Sequence, residues 1–177
     1  YQITYQNTYS VSTANNMYMW QASFEAINRY NTVLAGQTKA AADGVLTESV
    51  GNQYKGECLF LRALTYHNLM IHFANPVNVG GNNNYGMPLY LTAINTPAEI
   101  EEALKIGRST VEATYAQILK DLDDAEALLP EAIAANSITR ASKGAAIALK
   151  TRVYLHKRDW ANVMKEAAKL APAAPYT

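Results

Sequence analysis

From about Asn52 to Phe73 the chain carries apolar groups on almost every face of a helix: Tyr54, Cys58, Leu59, Phe60, Leu61, Leu64, Tyr66, Leu69, Met70, Ile71 and Phe73. A helix without a wet face belongs in the middle of other elements, so this stretch asks for neighbours on several sides. Its polar members, Glu57, Arg62 and His67, must then find partners or reach the surface, because an unpaired buried charge costs several kcal/mol. Glu57 and Arg62 are five positions apart and do not face each other on one helix, which puts the partner of Arg62 on a neighbouring element.

Those neighbours can be read from the same periodicity. Tyr18, Phe24, Ile27, Val33 and Leu34, around Trp20, predict a helix from about Asn15 to Ala35 with Gly36 as its stop, preceded by an irregular stretch from Tyr1 to Thr13. Ser109 with Glu112 reads as a capping box. It opens a helix on which Val111, Tyr115, Ile118, Leu122, Ala125 and Leu129 repeat until Pro130. A helix follows from about Ser142 to Lys157, and Asp159 caps a last one through about Leu170, stopped by Pro172. Asn75-Pro76 ends the central helix, and the Asn- and Gly-rich run from Asn78 to Pro88 reads as a long surface loop. A short extended piece, Leu89 to Leu91, and a helical turn at Ala98 to Leu104 come next.

No segment alternates long enough for a sheet, so the fold class is all-α, built of antiparallel helix pairs. The last pair, with Tyr154, Trp160, Val163 and Ala167, follows a tetratricopeptide-like scheme. At 177 residues the chain fits one folded unit, 1–177, which reads as a piece of a longer protein. Fifteen basic and fifteen acidic residues cancel, which removes the electrostatic case for nucleic acid or an anionic membrane as partner. No apolar run approaches the ~20 residues of a membrane span. The single cysteine, Cys58, reads as a small buried hydrophobe.

Three segments resemble the SusD/RagB family. Trp20 to Asn31, WQASFEAINRYN, is similar to its opening helix, and Gly56 to Phe73, GECLFLRALTYHNLMIHF, resembles its G-E-A-x-F-L-R-A-x-x-Y stretch. Arg108 to Pro130 and Thr139 to Trp160 resemble its I-x-x-D-L-x-x-A-x-x-L-L-P and R-A-S-K-x-A-A-x-x-L-x-A-R-V-Y-L helices. Cys58 departs from the family's Ala, and Gly86-Met87-Pro88-Leu89 stands in for its Gly-x-Val-Pro-Leu turn after an insertion. The resemblance implies a surface lipoprotein of a Gram-negative outer membrane, attached by an N-terminal lipid outside this chain. It would bind glycans or other nutrients without cleaving them, beside a SusC-like TonB-dependent transporter.

Tyr1 to Phe24 contains no ionisable acid or base but is rich in Tyr, Asn and Gln. Sugar C–H faces stack on aromatic rings and amides bridge hydroxyls, so Tyr5, Tyr9, Asn15, Asn16 and Tyr18 are the candidate ligand-binding residues. Trp20 is expected to pack as a helix anchor. Asn82 to Asn84 and Tyr85 are second candidates on the long loop, where a plain solvated or transporter-facing loop explains them equally.

Other chemistry finds little footing. His67 and His72 lie about 140° apart around a helix, against the three- or four-residue spacing of a helical metal pair, and His156 has no metal-binding context. Asp121, Asp123 and Asp124 lie mid-helix, unlike a calcium loop, and read as flank and outer-face residues. Asp121 is the candidate ion-pair partner of Arg62 or Arg152, a structural role. No spacing selects Glu25 or Glu57 as half of a catalytic pair. The expectation is a non-catalytic glycan-binding component without metal or cofactor; the alternatives are a tetratricopeptide-like protein-interaction module and, more remotely, a helical glycan-processing enzyme.

Overall fold

The computed structural model describes residues 6, 8, 10, 13–77, 84–131 and 139–171. Among the described residues six helices follow in order: α1 (Ala14–Ala42), α2 (Glu48–Phe73), α3 (Pro97–Ala103), α4 (Val111–Leu128), α5 (Lys143–His156) and α6 (Trp160–Ala168). Among the described residues there is no strand, and the nearest approach to one is a single antiparallel bridge between Tyr85 and Thr110. The all-α expectation holds.

Five of these six helix starts are capped by a side chain, the exception being α1 after Thr13. The hydroxyls of Thr47, Thr110 and Ser142 accept from the backbone N–H groups of Val50, Ala113 and Ala145, and the Asp159 carboxylate caps α6 through Asn162. The capping box expected at Ser109 and Glu112 is instead at Thr96 and Glu99 on α3; α4 takes Thr110 as its cap, and the Ser109 hydroxyl turns inward to the Met87 carbonyl. Gly36 does not stop α1. Gln37 to Ala42 are good helix formers, and the turn comes at Gly44, whose φ of 72° suits a residue without Cβ. Likewise α2 begins four residues earlier than Asn52, at Glu48.

α2 is the central helix, packed by α1, α4 and α5. Leu59, Ala63, Tyr66, Leu69 and Met70 are buried with Ile27 of α1, Ile118 and Leu122 of α4, and Leu149 and Val153 of α5. Tyr54, Leu61 and Ile71 nevertheless remain exposed along one edge of it. Trp20 packs as an anchor, its ring centroid 4.8 Å from Phe24 and 5.3 Å from Phe73.

The buried Arg62 donates to both oxygens of the buried Asp121, at 2.7 and 2.8 Å, and also to Asn31 Oδ1 at 2.7 Å and the Leu91 carbonyl at 3.2 Å. Asp121 is therefore not on the outer face; Gln117 completes its shell at 2.8 Å. Arg152 is exposed and takes no part in this pair; its charge acts on His67. Glu126 is also drawn inward. The buried Lys150 ammonium bonds to it and to Asp123, faces Glu166 at 3.4 Å, and with Lys169 ties α4, α5 and α6 together. Burial alone would lower the Lys150 pKa, but these carboxylates win and raise it.

His67 finds no hydrogen-bond partner among the described residues. It is fully buried with both ring nitrogens unpaired, and its ring centroid is 4.8 Å from that of His156. Burial, then His156 and Arg152, push its pKa down to about 4, so it is neutral in the fold.

Two stability predictions follow from these buried groups. Arg62→Met should cost about 3–5 kcal/mol in urea unfolding, because it strands the Asp121 carboxylate. His67 binds its proton more weakly folded than unfolded, so stability is lost as pH falls from about 6.5, its ordinary value, towards about 4. His67→Met should therefore remove about 2–3 kcal/mol of acid sensitivity between neutral pH and the folded-state value. Unfolding curves at neutral and mildly acidic pH check this; an unchanged difference would show that another group carries it.

Candidate functional site

Gly86 fixes the entry to the strap that builds the site. A Cβ there would lie 2.2 Å from Thr114 Oγ1 and 2.4 Å from the Thr110 carbonyl oxygen, so only glycine lets the chain press against the start of α4. The Met87 side chain is fully buried beyond it, and its N–H donates to Thr114.

Leu89 to Asn95 then cross α1 and α2 as a strap, neither helix nor strand, whose backbone is held by side chains. Tyr66 Oη accepts from the Tyr90 N–H at 2.8 Å and lies 3.2 Å from the Tyr90 carbonyl. The Asn31 amide donates to the Tyr90 and Thr92 carbonyls at 2.9 and 3.0 Å. Asn28 brackets Ile94, donating to its carbonyl at 3.0 Å and accepting from its N–H at 2.8 Å. A segment without regular structure is thus satisfied without a sheet.

Against this strap the outer face of α1 forms an open groove of about 440 Å³, lined by Gln21, Phe24, Glu25, Asn28, Tyr90 and Ile94. Phe24 and Tyr90 meet edge to face, their centroids 5.5 Å apart at 88°. Glu25 is exposed, with Arg29 at 3.6 Å. The arrangement offers aromatic carbon beside planar amides, the pairing that suits a sugar ring with its hydroxyls.

Of the residues proposed from sequence, Asn15, Asn16 and Tyr18 lie on the first turns of α1, with Tyr18 63% exposed. At helical spacing Tyr18, Gln21 and Glu25 share one face, with Tyr18 nearer the helix start and outside the groove lining. Tyr5 and Tyr9 lie outside the described residues, as do Asn82 and Asn83 on the long loop. Tyr85 is half exposed, with the Arg108 guanidinium 5.9 Å from its ring centroid. It lies on the α4 side of the strap, bridged to Thr110.

The sequence reading missed Gln21, Asn28 and Tyr90. Asn28 and Asn31, three apart on α1, were a usable signal, since two amides on one helix face are placed to hold an irregular segment.

Glu57 is held bidentately by Arg140, both bonds 2.7 Å, and also accepts from Gln53. His72 is exposed and pairs with the Asn68 carbonyl one turn earlier, whereas His67 faces His156. Among the described residues, no three His, Cys, Asp or Glu side chains gather where they could hold a metal ion. Burial raises the pKa of the Cys58 thiol, as for an inert core cysteine.

Residues 1–155 match the SusD-like family model described as starch-binding and associating with the outer membrane. A solved SusD superfamily protein from Bacteroides fragilis is similar at 30% identity and a TM-score of 0.82, over 96% of this chain and 38% of its own. A SusD-like carbohydrate binding protein from Bacteroides vulgatus follows at 25% and 0.76, over 92% of this chain and 32% of its own. A second SusD-like protein from Bacteroides fragilis is similar at 26% and 0.73, over 94% and 29%. No curated protein matches significantly. The chain spans well under half the length of these solved relatives. With a family model covering most of its length, the chain belongs to the SusD-like family.

Proposed function

We propose that this chain is the helical part of a cell-surface protein that captures a glycan without cleaving it and presents it to a SusC-type TonB-dependent transporter. The observation that carries the reading is the family match over residues 1–155, whose description joins starch binding to the outer membrane. A carbohydrate-binding relative at 25% identity supports it, as does a groove on α1 that combines aromatic carbon with the Gln21 amide. Among the described residues no helix is long and apolar enough to cross a membrane. Binding needs no catalytic group. Glu57 and Asp121, both committed to arginines, fit that requirement.

The proposed ligand face begins with Asn15, Asn16 and Tyr18, and takes in Tyr5 and Tyr9 of the preceding uncharged aromatic stretch. Asn83 and Tyr85 are its second, loop-borne part. Maltoheptaose binding to the purified protein by calorimetry tests this reading. Tyr18→Ala should weaken it roughly fivefold, equivalent to about 1 kcal/mol for a lost stacking face. Affinity unaltered by Tyr18→Ala would remove the α1 start from the site.

One observation favours the second reading, a tetratricopeptide-like interaction module. Beside the α5–α6 turn, Trp160 is 61% and Met164 71% exposed, next to a groove of about 420 Å³ that also touches His156 and Arg158. Exposed Trp, Met and Arg are the composition of protein contacts. Specific peptide capture with no saccharide binding would favour this module over glycan capture.

A further inference from the structure

The strap has a depression on each side. The α1 side holds the groove of about 440 Å³ already described; the α3 side holds a second, of about 270 Å³, lined by Thr92, Glu99, Glu102 and Ile106 among others. Tyr90 and Ile94 line both, so one elongated ligand crossing the strap can occupy the two together. The shared wall is preorganised, because Tyr66 and Asn31 hold the backbone of Tyr90, and Asn28 holds that of Ile94 on both its N–H and its carbonyl.

The polar groups facing this space divide into two kinds. The Gln21 amide and the Thr92 hydroxyl make no hydrogen bond to any described residue and are available to ligand hydroxyls. The charged groups are all carboxylates. Glu25 lines the first depression and Glu99 and Glu102 the second, while no Lys, Arg or His lines either. Arg29 and Lys105, the cations nearest to Glu25 and Glu102, stand outside the lining. Glu99 accepts from the backbone N–H groups of Asn95 and Thr96 at 2.7 and 2.8 Å, which holds it in place as an anion at the start of α3. A ligand with carboxylate or sulfate groups would meet a carboxylate in each depression, Glu25 paired with Arg29 and Glu102 with Lys105 from outside the lining and Glu99 held by backbone N–H groups.

We propose that the two depressions are consecutive subsites of one saccharide groove, and that its carboxylate lining restricts it to uncharged sugars, excluding uronate and sulfated glycans. The inference rests on the glycan-capture reading and names the ligand class that reading leaves open.

The test compares matched chains that differ only in charge. Maltoheptaose, laminarihexaose and cellohexaose are titrated into the purified protein beside the same oligosaccharides oxidised to carboxylates at their primary hydroxyls. At least one neutral chain should bind, with its oxidised form roughly tenfold weaker at low salt and the gap narrowing as salt rises. Gln21→Ala and Thr92→Ala should each weaken the neutral chain, with circular dichroism showing the fold retained. Glu25→Gln with Glu102→Gln should narrow the difference between neutral and oxidised chains. Neutral binding untouched by Gln21→Ala and Thr92→Ala would overturn this groove while leaving glycan capture standing. Oxidised chains binding as tightly as neutral ones would overturn the selectivity. Failure of every chain in the panel, neutral and oxidised, would overturn the groove and the capture reading together.

Discussion

Arg62 joins four parts of the molecule through one guanidinium. It lies on α2, takes both oxygens of Asp121 on α4, reaches Asn31 on α1, and donates to the carbonyl of Leu91 in the strap. A planar donor with several fixed N–H directions can do this where a lysine could not, because each contact uses a different edge of the same rigid group. The pair is costly to bury, and its value is positional. With Arg62 and Asp121 in place, the two long helices and α4 have one relative register, and the strap has one height above them. Asn31 is set in turn: its oxygen is committed to Arg62, so its amide is left to point at the strap carbonyls.

The consequence lies at the surface. A segment without regular structure over helices normally leaves backbone groups exposed to water or pairs them with another strand. Here Asn28, Asn31, Tyr66 and Arg62 supply the partners from beneath, and the edge facing outward is left open. A ligand lying along that edge meets a surface whose shape was settled on folding, so little ordering entropy is lost when it binds. The rigidity of a helical body is transmitted in this way to a piece of chain with no regular structure of its own.

The helices were legible because their signals are local. Ser142 and Asp159 stand where the sequence reading started their helices, and the continuous apolar pattern of α2 correctly placed it at the centre, although its Thr47 cap lies before the start read at Asn52. What escaped the sequence was decided by other elements. Gly36 reads as a stop, yet nothing lies within 4 Å of where its side chain would be and the residues after it favour a helix, so α1 continues. Ser109 and Thr110 are both plausible caps; Thr110 takes the role because the Ser109 hydroxyl is drawn to Met87, a contact made across the chain. Asp121 was named as a candidate partner of Arg62, yet its acidic neighbours read as an outer face; its burial is set by that arginine, nearly sixty positions away. For the candidate site, the exposed aromatic and amide residues at the start of α1 were visible, but the groove was not. It exists only where Tyr90 is brought to Phe24, and no pattern within either segment encodes that meeting.

The same long-range pairing bears on what kind of chemistry the body can support. A carboxylate acts as acid or base when it is free to change charge near neutrality, usually beside a second carboxylate or in an apolar pocket. Asp121 is clasped by Arg62, Glu57 by Arg140, and Glu126 and Glu166 share Lys150 and Lys169, with the Glu126 pKa lowered overall because its lysine contacts outweigh the opposing effect of burial. The interior acids are therefore spent on holding helices in register. What remains on the α1 and strap surface is amide, hydroxyl and ring carbon with carboxylates at the margin, the groups from which the proposed saccharide face is built.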